Sequence, residues 1–164
     1  MKNIKVFLLL AASVLAGSSI IKAQDKKQDE VKTMIDSRNY IFKAQMANPQ
    51  NGASRQLTPE YDLTISVDTI ISYLPYFGRA YVAPSNPSEG GIKFTSTQFE
   101  YNPVKDEKGW KITIRPKDVR EVQQLFLEVF DNGRATLQVI STNRQGISFN
   151  GYVEEGKAKG KRAF

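Results

Sequence analysis

The chain has 164 residues with 23 basic and 17 acidic side chains, and it contains no histidine and no cysteine. Without those two residue types, Cys–His and Ser–His nucleophilic catalysis, thiol redox chemistry and zinc sites built on Cys or His are excluded. The formal charge of +6 sits at the two ends, since residues 24–156 carry 16 basic against 17 acidic side chains, so a folded nucleic-acid-binding surface is not expected.

Lys2 and Lys5, an apolar run over 6–16 and the small residue Ala23 before Gln24 are the three parts of a Sec-type signal peptide, with cleavage predicted after Ala23. The apolar run is too short for a good membrane span, and no later stretch is long enough for one. Leu15-Ala16-Gly17 opens like a lipoprotein box, but Ser18 stands where the lipidated cysteine would be, which rules out a thiol-linked lipid anchor. The expected product is exported, periplasmic or extracellular, with no integral membrane span. Its remaining length suits one domain that holds a core without disulfides.

Residues 24–36 read as a leader and an amphipathic helix. Val31, Met34 and Ile35 fall on one helical face from about Asp29 to Ser37, with Asp25 or Asp29 available as a cap. From Tyr40 the period changes to two. Tyr40 and Phe42 begin a strand that ends at Asn48-Pro49 and the Asn51-Gly52 turn signal. Tyr61, Leu63, Ile65 and Val67 alternate with polar residues as a half-buried strand, and Ile70 to Tyr76 returns with apolar groups on both faces.

A Pro- and Gly-containing loop, Ser85 to Gly91, precedes strands at Ile92 and Phe99. Trp110, Ile112 and Ile114 form another half-buried strand. Val119 to Gln124 reads as one helical turn or an irregular lead-in to the strand of Leu125, Leu127 and Val129. Asp131-Asn132-Gly133 is a hairpin signal, followed by Ala135, Leu137 and Val139, a turn at Asn143 to Gly146, and a last strand from Ile147 to Val153. The fold class is therefore mainly β. Seven or eight antiparallel strands in a meander over 37–155 curl into a small barrel or roll, with one short N-terminal helix at an end or edge and a basic disordered tail over 156–164.

Other chemistry finds little support. The only Ser-x-x-Lys dyad, Ser19 to Lys22, lies in the signal segment, and Gly90-Gly91 leads into a strand rather than a phosphate-binding helix. The carboxylates sit at turns or on water-facing strand positions, where nothing raises a pKa toward that of a general acid. No enzyme activity, metal or cofactor is expected. The densest unexplained stretch is Ser72 to Pro84. Its Tyr73, Tyr76, Phe77 and Tyr81 either line a groove or fill the barrel end, and Arg79 offers a fork to an anion or stacks on a ring. Asn143, Arg144 and Gln145 form a second polar cluster that can converge on them.

Tyr73 to Tyr81 (Tyr-Leu-Pro-Tyr-Phe-Gly-Arg-Ala-Tyr), Gly90 to Phe94 (Gly-Gly-Ile-Lys-Phe) and Asn143 to Gly151 (Asn-Arg-Gln-x-Ile-Ser-Phe-x-Gly) resemble the signature of DUF4251, a domain of unknown function from Bacteroidetes. The resemblance spans about Ser37 to Gly151. It implies an exported periplasmic or surface-associated protein and transfers no reaction and no site. The expected function is a non-enzymatic envelope protein that binds a small amphipathic or sugar-like ligand through the aromatic stretch. The alternative is a structural or protein-interaction module of the envelope.

Overall fold

The computed structural model describes residues 26–81 and 90–156. The signal segment, its cleavage point, the start of the leader, most of the Ser85–Gly91 loop and the basic tail fall outside the described residues. Helix α1 covers residues 26–37, beginning ahead of the Asp29 start read from the sequence. Ion pairs Lys27–Glu30 and Lys32–Asp36, at i,i+3 and i,i+4 spacing, support its exposed face. The other face buries Val31, Met34 and Ile35 as expected. Arg38 ends the helix at φ 49°. The amide of Asn39 donates to the Met34 carbonyl and that of Arg38 to Ile35, which is a Schellman cap with arginine in the place glycine usually takes.

Among the described residues ten strands follow: β1 (Tyr40–Pro49), β2 (Arg55–Gln56), β3 (Asp62–Ile65), β4 (Ile70–Leu74), β5 (Ile92–Ser96), β6 (Phe99–Asp106), β7 (Gly109–Pro116), β8 (Val122–Phe130), β9 (Arg134–Ser141) and β10 (Ile147–Glu155). This corrects the count of seven or eight. Nine of the ten match the segments taken in chain order above, and the tenth is β2, a two-residue pairing on β1 at Met46 and Ala47, too short to leave a period in the sequence.

The sheet order is β5-β4-β3-β1-β10-β9-β8-β7-β6, antiparallel throughout. The two end strands, β5 and β6, are consecutive in the chain and joined only through Thr97 and Gln98. Such a short link forces the sheet's two edges together, so the sheet curls into a nearly closed barrel. An even number of antiparallel steps separates β5 from β6, so they run the same way. They behave as one bent stave whose first half pairs with β4 and whose second half pairs with β7.

Asp118, just after β7, fastens this bend. Its carboxylate accepts from the Ser96 hydroxyl (2.5 Å) and from the amides of Thr97 (2.8 Å) and Gln98 (3.2 Å), while the Lys117 amide donates to the Gln98 carbonyl at 2.7 Å. The Ser96 hydrogen bond, followed by the Thr97 amide, lowers the Asp118 pKa to about 2.

The barrel interior takes the inward set of nearly every strand, including Phe42, Leu63, Ile70, Leu74, Ile114, Leu127, Leu137 and Phe149. Helix α1 lies across one mouth: Lys27 reaches Gly133 in the β8–β9 turn, and Arg38 stands over the Tyr101 ring on β6 at 4.9 Å. One sequence expectation changes here, and one open alternative is decided. Val67 is 66% exposed because β3 ends at Ile65, where the Ser66 amide bonds the Thr69 carbonyl at 2.9 Å to close a tight turn. Of the two readings of Val119 to Gln124, the irregular lead-in is the one found: bends lead into β8, whose register against β9 shifts between Val122 and Gln124. Among the described residues no helix is long and apolar enough to cross a membrane.

Candidate functional site

The sequence-predicted residues gather at the mouth opposite α1, where β4 and β9 end and β5, β8 and β10 begin. After Leu74 the chain leaves the ladder through buried Pro75. It runs antiparallel to the β9–β10 turn: the Gln145 amide donates to the Arg79 carbonyl (3.0 Å), the Tyr81 amide donates to the Asn143 carbonyl (2.9 Å), and Ala80 bridges Arg144. The two clusters, far apart in sequence, are thus one backbone-paired unit.

Their side chains have different roles. The Tyr76 hydroxyl lies 2.9 Å from the Arg79 carbonyl and 3.0 Å from the Gln145 carbonyl, so its single proton ties both segments together. Burial raises the Tyr76 pKa above its ordinary value, with nearby Arg144 opposing. Tyr73 points outward, stacked on Tyr61 with ring centroids 5.6 Å apart and with the Lys93 ammonium 4.7 Å from its centroid. Phe77 packs against the core and carries the Arg55 guanidinium 4.8 Å from its centroid. Arg79 is exposed, and Tyr81 is 66% exposed. Asn143 is exposed, and Gln145 is half-buried. Three rings of the stretch therefore already carry a ring or a cation.

Arg144 is the centre of this mouth. Its side chain is only 10% exposed. The guanidinium stands 5.3 Å from the Tyr76 ring centroid, donates from Nη1 to the Gly91 carbonyl at 3.0 Å, and meets Glu121 from Nη2 at 3.3 Å. It thereby fixes the start of β5 to the β9–β10 turn, closing one end of the seam that Asp118 closes at the other.

Between these two fastenings a cleft of about 100 Å³ opens in the barrel wall. Ile92, Phe94, Val119 and Val122 form its apolar part, and Lys93, Arg120, Glu121, Ser141 and Arg144 its polar rim. At ~30 Å³ per water it holds about three waters' worth of volume, well below the ~300 Å³ at which drug-sized pockets begin. Of the predicted residues, only Arg144 lines it. Arg120, Glu121 and Ser141 carry no site signal in the sequence, where each reads as an ordinary strand-end or loop residue, and Lys93 enters there only as part of the Gly90 to Phe94 motif. Two larger hollows, about 600 Å³ between α1 and the end of β10 and about 430 Å³ on the outer face of β7 to β9, are open to solvent, as the seam cleft is on its outer side, and hold none of the predicted residues.

Two glycines of the family-like motifs, Gly91 and Gly151, lie at close approaches to a neighbouring backbone. A Cβ on Gly151 would run into the Lys43 carbonyl opposite, where the β1–β10 register shifts between Ala44 and Met46. One on Gly91 would come within 2.6 Å of the Leu74 carbonyl. At both positions the chain passes too close to a neighbouring backbone for a side chain.

The architecture is similar to the crystal structure of a DUF4251 family protein from Bacteroides eggerthii, with a TM-score of 0.54 at 12% identity over 79% of this chain and 87% of that one. At that identity the likeness speaks for the fold alone. No curated protein matches the chain. Residues 22–153 match the domain of unknown function DUF4251, and the chain belongs to that family.

Proposed function

We propose that this is an exported, non-enzymatic protein of the cell envelope that binds a small amphipathic molecule in the seam cleft at the Arg144 mouth. The observation that carries this reading is the cleft's composition, an apolar floor of Ile92, Phe94, Val119 and Val122 beneath a rim holding Lys93, Arg120 and Arg144. A small site of this kind takes an apolar group inside and a polar group at the edge. Export rests on the Lys2–Ala23 pattern, and the non-enzymatic reading on the missing histidine and cysteine. Stacking of a sugar ring has less support, because Tyr73, Tyr76 and Phe77 already carry a ring or a cation.

Screening short amphipathic fragments by thermal shift, with amide chemical shifts to locate the site, tests the reading. Binding should move the amides of Ile92, Phe94 and Val122, and Ser141→Leu, which fills the cleft, should abolish it while the fold survives. Fragments that bind only elsewhere, or equally well to the filled variant, refute it.

A second reading, a protein-interaction module, is favoured by one observation. Among the described residues β5 and β6 each pair on one flank only, and Val104 on β6 is 61% exposed. Pro103 and Lys105 blunt the β6 edge against strand addition, so this reading stands second. Pull-down from envelope extracts with the full chain and with Val104→Glu tests it, and equal capture by both counts against the β6 edge.

A further inference from the structure

We propose that the seam cleft selects its ligand by negative charge, taking a carboxylate on the Nη2 edge of Arg144 in the place Glu121 now holds. The inference rests on the reading of the cleft as an amphipathic binding site and specifies which polar group enters it.

The two edges of the Arg144 guanidinium differ in kind. Nη1 is committed to the Gly91 carbonyl at 3.0 Å, and the plane is held against Tyr76 at 5.3 Å. Both contacts belong to the fold, because they fasten β5 to the mouth. Nη2 instead meets Glu121 at 3.3 Å, and that carboxylate is 64% exposed while the arginine is 10% exposed. A charged donor that is nine-tenths buried is thus satisfied on one side by a water-facing side chain, in a segment of bends just before β8.

An ion pair with one partner so exposed contributes little to stability, so exchanging it for another carboxylate costs little. The guanidinium is a planar fork suited to carboxylate geometry, and holding it in place beforehand lowers the ordering cost of binding. Arg120 adds positive charge at the same rim, and among the described residues lining the cleft Glu121 is the one acidic side chain. Glu121 therefore acts as an internal competitor. It keeps the buried guanidinium paired, and it moves into water when a ligand carboxylate arrives.

The volume limits the remainder of the ligand. About 100 Å³ beside Ile92 and Val122 admits a chain of a few carbons, and the packed barrel behind admits no more.

The experiment is an NMR titration of the full chain with butyrate, using butyramide as the neutral isostere. Butyrate should shift the Ile92 and Val122 amides and the Arg144 side-chain Nε–H signal, and butyramide should bind at least tenfold more weakly. E121Q should tighten butyrate at least threefold and change butyramide by less than that, while R144M should lose butyrate. R144M also removes the stacking partner of Tyr76, so the E121Q and butyramide arms decide the matter even if that variant fails to fold. Equal binding of butyrate and butyramide, or weaker butyrate binding to E121Q, overturns charge selection while leaving the cleft a binding site. If neither compound shifts the cleft residues, the cleft reading itself fails and charge selection with it.

Discussion

The hydroxyls of Tyr40 on β1 and Tyr101 on β6 lie 3.0 Å apart in the buried interior. These strands are not neighbours; β10, β9, β8 and β7 stand between them in the sheet. Only a sheet curled on itself brings the two side chains together, so this hydrogen bond is a direct measure of barrel closure. Burial raises both tyrosine pKa values, Tyr40's well above the ordinary one.

Removing one hydroxyl strands the other, so Tyr40→Phe or Tyr101→Phe should each cost about 1–2 kcal/mol. The double variant should cost less than the sum, which a double-mutant cycle by urea denaturation measures. The wild type should also lose stability as pH rises above about 10, the ordinary tyrosine value. The sign follows from the shift: a raised folded pKa favours the neutral form in the fold, so the contribution is full below the unfolded pKa and fades above it. The double phenylalanine variant should show a shallower alkaline decline.

Asp118 predicts the opposite limb. Its folded pKa of about 2 lies below the usual 3.8, so its contribution is full above the unfolded value and fades as pH falls from about 4 toward 2. Asp118→Asn should flatten the stability profile in that window and speed hydrogen exchange at the Thr97 and Gln98 amides. Unchanged exchange there would show that the β5–β6 bend does not depend on this carboxylate.

The mouth is held by Tyr76 more than by the exposed residues beside it. Tyr76→Phe deletes a hydroxyl that lies against two backbone carbonyls, and it should cost about 1 kcal/mol. Amide exchange at Tyr81 and Gln145 should rise ahead of global unfolding. Tyr81→Ala, at a 66% exposed ring, should change stability by no more than about 0.5 kcal/mol.

Gly151→Ala should destabilise by about 1–3 kcal/mol, because the added methyl collides with the Lys43 backbone. Gly146→Ala is the control. There the nearest atom to an added Cβ is the Val139 carbonyl at 3.6 Å, ordinary contact. Equal midpoints for the two variants in chemical denaturation would refute the close-approach argument.

Helix α1 belongs to the barrel rather than to the leader. Ile35 is buried within the core cluster, so Ile35→Ala should cost about 2–4 kcal/mol. A loss confined to helix signal, with the thermal midpoint of the sheet unchanged, would show that α1 is an accessory element.

Much of this was legible in the sequence, for a physical reason. The alternation of Leu125, Leu127 and Val129, the Asn132-Gly133 turn and the helical spacing of Val31, Met34 and Ile35 are local patterns set by backbone geometry, and each element formed where its pattern lay. Val67 misled because alternation does not mark where a tight turn ends a strand, and β2 escaped because two residues carry no period. The absence of histidine and cysteine limited the chemistry before any fold was known.

The tertiary structure decided what no local pattern encodes. The pairing of the Arg79–Tyr81 segment with Asn143–Gln145, the fastening of the β5–β6 bend by Asp118 and the surroundings of Arg144 all join segments distant in the chain. In the sequence Arg144 is one basic residue in a turn. In the barrel, the mouth brings Tyr76, Gly91 and Glu121 around it, and burial by those three segments turns an ordinary surface residue into the centre of a cleft. The stretch Tyr73–Tyr81 reads in the sequence as either a groove lining or the filling of the barrel end; the tertiary structure gives three of its rings partners within the fold and leaves the seam beside them as the candidate site.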